Sequence, residues 1–541
     1  MNTKLKVLVR PAILSQSATT RVKFLIARRL LPVLLLLAVP VAVEAQYSYT
    51  TNDGAITITG YDCSTGGGAV TIPSTINGLP VTSIGDRAFW FCAPLTSVTV
   101  PNNVTNVGAW AFEECYSLTN VLIGNSVTTI GVSAFMGCTG LTSITIPDSV
   151  TTIGGGPGGE DGPYGAFAFC TSLTNVTIGN RVASIGATAF KGCTGLTRVT
   201  IPDSVTTIGG AAFRECTSLT SFTIPNNVTS LGGAAFWGCT SLTNVTIGNG
   251  VTSIGGGTFY GCSSLITMTM GAGVTNIELY AFESCSSLTS VTIGSGVISI
   301  GYEAFEGCAS LTNVTIGKSV TSVLSGDAGV FNNCTSLSAI TVDPFNSVYS
   351  SIEGVLFNKS QTALIEYPPA KAGSYTIPNS VATIAAWAFH ICTGLTSVTI
   401  PNTVTVIGDY AFNHCTSLTR MYFEGNRPRP GSSLFFKADD VIVYYLPGTT
   451  GWGSTYSSRP TMLWNPQALT SDLSFGVRAG QFGFTITGTP GITVVIEATP
   501  DLTNPIWTPL STITLTAGSS HFTDPQWTAQ PTRFYRLRSH Q

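Results

Sequence analysis

The chain has 541 residues, of which 9 % are charged and 43 % hydrophobic, with 58 glycines and a formal net charge of −3. So little charge excludes a disordered tail, a coiled coil and a basic nucleic-acid binder. Thr, Ser and Gly fill the polar share where long helices would need Glu, Lys, Ala and Leu, so a β-rich architecture with many turns is expected.

Residues 1–45 read as a signal peptide. Lys4, Lys6, Arg10, Arg21, Lys23, Arg28 and Arg29 form a basic leader, and an apolar run from Leu30 to Val43 follows, broken by Pro32 and Pro40. That run is too short and interrupted for a membrane span, and the small residues Val43 and Ala45 place cleavage before Gln46. An uncleaved N-terminal anchor is the alternative. Removal leaves 17 Lys+Arg against 26 Asp+Glu, a charge of −9 that disfavours nucleic acid and anionic lipid as partners. The mature chain is expected to be secreted or displayed at the cell surface, with no membrane span.

From Cys63 onward the cysteines keep time. Nine of the thirteen intervals between the fourteen cysteines are 23 residues, which is the mark of an internal repeat and not of a disulfide scaffold. In the coil that starts at Cys138, Leu141, Ile144 and Ile146 carry the alternation of a short strand, with Ser143 and Thr145 pointing outward. Pro147-Asp148-Ser149 makes a turn, Val150 and Ile153 a second extended piece, and Gly154 a bend. In the next clean coil Ala189, Phe190 and Cys193 fit the inner face of one helical turn. A single coil cannot bury its apolar side, so stacked coils form a solenoid with Leu, Ile, Val, Phe and Cys columns. The cysteines from Cys92 to Cys415 are expected to be buried and reduced, because equivalent coils present them in parallel.

The rhythm breaks twice. An insertion around 154–163, with Glu160 and Asp161, reads as a glycine-rich loop whose two carboxylates are too few to hold calcium. The 335–380 segment, with Tyr367-Pro368-Pro369, reads as a pair of coils with a protruding hairpin or loop. Residues 46–425 thus form the solenoid with its N-terminal cap, 426–465 its C-terminal cap, and 466–541 a small β-sandwich of alternating strands.

The pattern C-x-S-L-T-x-V-T-I-x-x-x-V-T-x-I-G-x-x-A-F resembles the leucine-rich repeats of the BspA-like family, also found in treponemal surface proteins. Ala55–Tyr61, Asn77–Thr82 and Tyr349–Phe357 resemble the opening and irregular segments of such arrays. The resemblance implies a β-rich leucine-rich-repeat solenoid, with short strands plus one helical turn per coil, on an exported protein that binds other macromolecules. It names no ligand.

Chemistry is sparse. His390, His414, His521 and His540 lack metal-ligand spacing, so no metal and no cofactor is expected. Gly317-Lys318-Ser319 lacks the first glycine of a phosphate loop. Glu303 and Glu306 lie three apart on an exposed turn, where surface solubility explains them and no shifted pKa is expected. The leading expectation is therefore a non-catalytic binding protein with a protein or surface-glycan partner. A secreted enzyme with its site in 335–380 or 466–541 is the rival, and no nucleophile–base set supports it.

In a repeat protein recognition uses positions that vary between coils. The position two before each cysteine reads Trp90, Glu113, Lys191, Arg214, Trp237, Tyr260, Glu283 and Glu306 among its members. Aromatics gather on adjoining coils, and Trp237, Tyr260, Tyr280 and Tyr302 are expected to form one accessible ligand-binding patch bordered by Glu283 and Glu303. The outward threonines Thr145, Thr177, Thr200, Thr223, Thr246, Thr269, Thr292 and Thr315 form a hydroxyl ladder that offers a glycan a second face.

Overall fold

The computed structural model describes residues 46–156, 164–323, 329–529 and 532–539. The expected signal peptide and the Glu160–Asp161 part of the glycine loop lie outside the described residues. Up to about residue 465 the described residues form a β-solenoid, about 16 turns in all. Among the described residues the one helical element is a 3-10 turn, Trp527–Ala529, in the C-terminal module.

Each coil has three sides. In the coil after Cys216, Leu219 points inward, the strand Ser221–Ile224 buries Phe222 and Ile224, and Val228 and Leu231 line the second side. Both strand types pair in parallel with the next coil, Ser221–Ile224 with Asn244–Ile247 and Thr207–Ile208 with Ser230–Leu231. Every coil repeats the same inward set, so the columns stack. Phe112, Phe135, Phe167, Phe190, Phe213 and Phe236 lie ring on ring at 5.1–5.5 Å.

The third side corrects the expected helical turn. Its amides alternate between closing three-residue turns and reaching the next coil. Arg214 N–H bonds to Ala211 O and Cys216 N–H to Phe213 O, while Ala211, Phe213 and Glu215 donate to Gly233 O, Ala235 O and Trp237 O. A helix would keep all of these bonds within the coil. Two residues per coil turn the chain by adopting left-handed backbone, five and one before the cysteine: Ala211 (φ 54°) and Glu215 (φ 61°) here. The inward pattern of Ala, Phe and Cys satisfies either geometry, which is why the sequence did not separate them.

The cysteine column has its own logic. Cys115, Cys216 and Cys415 donate their thiols to the carbonyls of Phe89, Phe190 and Phe389 in the preceding coil, at 3.0–3.2 Å. Twelve cysteines, Cys115 to Cys415, are free and buried. Burial pushes the Cys170 and Cys262 thiols up to about 12, so they are poor nucleophiles. Cys92 departs from the expectation: it is disulfide-bonded to Cys63. Cys63 belongs to the N-terminal cap, where the hairpin of Tyr47–Asn52 and Ala55–Tyr61 runs antiparallel. Outside the repeat its side chain is free to approach Cys92, and the argument from parallel coils does not apply.

In 335–380 the strands Tyr349–Ile352, Val355–Asn358 and Ala363–Glu366 form an antiparallel meander set into the solenoid. The middle strand separates two cores, because alternation sends Leu356 into one and Val355 and Phe357 into the other. Asn346, fully buried, supports the entry by donating to Gly317 O and Val320 O and accepting from Val348 and Tyr349 N–H. In the expected cap the parallel sheet continues through Ile442–Tyr445 to Arg459–Leu463.

Residues 467–529 and 532–539 form two small antiparallel sheets, centred on Gln481–Thr487 and Thr493–Thr499. Their core of Phe484, Ile486, Val494, Ile496, Leu515 and Phe522 includes Tyr422 and Tyr444 of the solenoid. The module is therefore seated on the end of the solenoid's first strand face.

Candidate functional site

The turn side carries most of the surface aromatics, because its outward positions are free of the two sheets. Trp237 and Tyr260 stack at 3.9 Å with 19° between their planes, and the Arg214 guanidinium lies 5.0 Å from the Trp237 ring centroid. Trp237 lies flat against the next coil: a Cβ on Gly257 would come within 3.1 Å of its ring carbons. Glycine at 257, with a left-handed φ of 60°, lets the indole lie close over the backbone; other coils hold Ala211 and Tyr280 in the same conformation. Tyr280 and Tyr302 meet edge to face at 5.8 Å.

The four expected residues therefore come as two ring pairs, each ring half-buried. A polar link follows the first pair, since the Tyr260 hydroxyl bonds to Glu283, whose carboxyl burial and Glu303 raise above its ordinary value. Glu306 sits beside them and corrects the expectation of an unperturbed surface acid. Burial first, and Glu303 second, raise it to about 7, against the opposing hydrogen bond from Asn333. The oxygens of Glu283, Glu303 and Glu306 lie within 4.8 Å of one another. The signal for this was present in the 23-residue spacing of Glu283 and Glu306, which puts them on adjacent coils.

Sequence reading missed a second aromatic group on the same side. Trp90 and Phe91 meet at 4.9 Å, and Phe91 reaches Tyr116 at 6.3 Å. Arg87 lies 4.8 Å from the Trp110 ring centroid. Trp90 alone was visible in the variable column; Phe91 and Tyr116 fall one before and one after the cysteine position, outside the columns read as variable.

The first strand face offers the other candidate surface, and three threonine columns behave differently there and beside it. Thr119, Thr220 and Thr243 donate their hydroxyls to carbonyls one coil back, Thr96 O, Thr197 O and Thr220 O. Thr105, Thr128 and Thr275 do the same from the second side. These hydroxyls tie coils together. The ladder of Thr145, Thr177, Thr200, Thr223, Thr246, Thr269, Thr292 and Thr315 is exposed throughout. From Thr177 to Thr269 it borders two adjoining troughs of about 590 and 310 Å³ that share Arg198, Val199 and Thr200, the larger lined also by Ile201, Ile224 and Ile247.

The two regions expected for a rival enzyme site contain one unusual acid and one groove. Burial raises Glu366 of the meander to about 8. In the C-terminal module a groove of about 760 Å³ is lined by Phe475, Phe482, Trp527 and Tyr535 with Arg533 and Arg536. His390 and His414 approach at 5.7 Å between ring centroids, and burial lowers the first to about 4. His521 lies on the module strand Ser519–Asp524, and His540 is outside the described residues.

The repeat geometry agrees with known proteins. The model of the BspA-type leucine-rich repeat region matches residues 68–156, 163–289, 257–372 and 367–450. The chain belongs to this family. It is also similar to a leucine-rich repeat protein of Bacteroides ovatus, with a TM-score of 0.55, 23 % identity, and coverage of 78 % of this chain and 98 % of that one. A leucine-rich cell surface protein of Faecalibacterium prausnitzii is 30 % identical over 55 % of this chain and 93 % of its own, with a TM-score of 0.31. The leucine-rich repeat protein of T. pallidum is 25 % identical over 45 % of this chain and 88 % of its own, with a TM-score of 0.25. No curated protein matches the chain.

Proposed function

We propose that this BspA-type repeat protein is exported, acts without catalysis, and holds a protein partner on its turn side through Trp237, Tyr260, Tyr280 and Tyr302. The observation that supports this most is the mounting of these rings. They are half-exposed, paired with one another and fixed on consecutive stacked coils, with Arg214 at one end and the Glu283 carboxylate at the other. Rigid aromatics bind with little loss of side-chain entropy and recur among interface anchors. The basic leader and the Cys63–Cys92 disulfide support passage into an oxidising compartment.

The partner is unidentified, so the test starts from the producing cell. The mature chain should begin near Gln46 by N-terminal sequencing; a retained first residue argues for the anchor. Replacing Trp237, Tyr260 and Tyr280 by Ala should abolish capture of the surface partner while leaving the circular-dichroism spectrum intact. Unchanged capture moves recognition to the threonine troughs, the second reading, in which a surface glycan lies along the uncommitted hydroxyls of Thr200, Thr223 and Thr246.

A further inference from the structure

At the N-terminal end of the turn side, the solenoid exposes aromatic surface that its own packing does not use. Trp90, Phe91 and Tyr116 are 49 %, 50 % and 45 % exposed and touch in a row. Phe91 is the most telling. It occupies the left-handed position before the cysteine, with φ 57°, where five other coils place Gly137, Gly192, Gly238, Gly261 and Gly307. A bulky side chain is disfavoured in that conformation. Phe169 holds the same position but is half-buried, over Gly192 and against Tyr164. Side chains such as Glu114, Glu215 and Ile391 share this backbone conformation in other coils, so what sets Phe91 apart is an aromatic ring half in solvent, a pattern associated with binding surfaces.

The chemistry around these rings is selective. The Trp90 indole bonds to Glu113, the Tyr116 hydroxyl to Glu114, and Asp86 receives the Ala109 N–H at 2.8 Å. Of these carboxylates, Glu113 feels the charge of Arg87. Its guanidinium lies 4.8 Å from the Trp110 centroid and 5.8 Å from that of Trp90. The corner therefore already holds one guanidinium by cation–π contact beside carboxylates. The outer rings, Phe91 and Tyr116, with Glu114 between them in sequence, repeat that combination with no Lys or Arg over them among the described residues. Cys92, adjoining Phe91, is fixed to Cys63 by the disulfide, so the surface is pre-organised.

We propose that Trp90, Phe91 and Tyr116, with Glu113 and Glu114, form a docking site for an arginine-bearing basic segment of a partner protein. Aromatic faces and carboxylates are complementary to guanidinium, and the net acidity of the mature chain steers a basic segment toward it. The inference rests on the reading of this chain as a binding protein, but it uses none of the residues from 237 to 302.

The test uses the full mature chain and a fluorescein-labelled peptide of alternating Arg and Gly, followed by fluorescence anisotropy at physiological salt. Saturable binding is expected, and Phe91→Gly with Tyr116→Ala should weaken it by more than about tenfold, as removal of an interface anchor does. Glu113→Gln with Glu114→Gln should weaken it comparably. The Trp237→Ala, Tyr260→Ala, Tyr280→Ala variant should bind the peptide as the parent does, so failure here and failure of the proposed partner patch are read separately. The Phe91→Gly protein should melt no lower than the parent. No binding, equal binding of a Gly–Ser peptide, or full binding by either corner variant would overturn the proposal. So would a lowered melting point for Phe91→Gly, which would make that ring structural.

Discussion

One column of the first strand face can be compared in two stretches of the molecule. From Thr145 to Thr315 its outward residues are threonines, all exposed. At the C-terminal end the aligned residues are Thr399, Tyr422, Tyr444 and Met462, and the two tyrosines are only 6 % and 5 % exposed. The backbone runs in parallel ladders in both, as three three-stranded sheets in the first stretch and one six-stranded sheet in the second. The difference is that the C-terminal module covers the second stretch and nothing among the described residues covers the first. From Thr145 onward the outward residue type follows what lies on it, large under the protein module and small and hydroxylated where the face is bare; Leu122, one coil earlier, is large and exposed.

That comparison concerns the outer face alone, so the inward columns should respond identically in the two stretches. Phe236 stacks on Phe213 and Phe259 at 5.5 and 5.4 Å, and Phe412 stacks on Phe389 and Phe435 at 4.7 and 6.0 Å. Both are fully buried. Phe236→Ala and Phe412→Ala should each destabilise by about 3–5 kcal/mol, the usual cost of a large cavity in a core. Urea unfolding followed by fluorescence checks this. Markedly different costs would mean that the covering module stabilises the core beneath it, and the two stretches would not be comparable.

The next test exchanges the outer residues. Tyr422→Thr with Tyr444→Thr removes apolar burial worth about 1.5–3 kcal/mol per ring and should loosen the seat of the module. Limited proteolysis should then release residues from about 466 onward while the solenoid survives. The reverse change, Thr223→Tyr with Thr246→Tyr, should alter solenoid stability by less than about 0.5 kcal/mol, as surface changes do. A destabilised solenoid in the reverse variant would show that threonine is required there by packing.

Much of this was legible in the sequence because packing dictates it. Phe213, Phe236, Leu219 and Val228 recur at fixed positions since each must meet its copy one coil away. The third side was not legible in the same way. Ala211, Trp110, Tyr280 and Glu303 all adopt left-handed backbone there, and none of those residue types signals that conformation, so a helical turn fitted the inward pattern equally well. Cys63–Cys92 escaped for the opposite reason, since the rule for repeating cysteines was extended to a pair that includes the cap. Trp90 and Phe91 are neighbours in sequence, but Tyr116 joins them only in space.

The smallest effect separates two threonines in one strand region. Thr243 donates its hydroxyl to Thr220 O at 2.9 Å, and that carbonyl also receives the Thr243 N–H at 2.8 Å. Thr246, three residues on, is exposed beside the trough. Thr243→Val deletes a net contribution of about 0.5–1 kcal/mol, at the low end because the acceptor keeps its backbone partner. Thr246→Val deletes no bond to the protein, and valine equals threonine in strand preference, so its stability should match the parent within about 0.3 kcal/mol. Matched urea midpoints with unchanged slopes distinguish the two. A cost at Thr246 as large as at Thr243 would assign its hydroxyl to the fold; a silent Thr246→Val leaves the bare column free for whatever the surface binds.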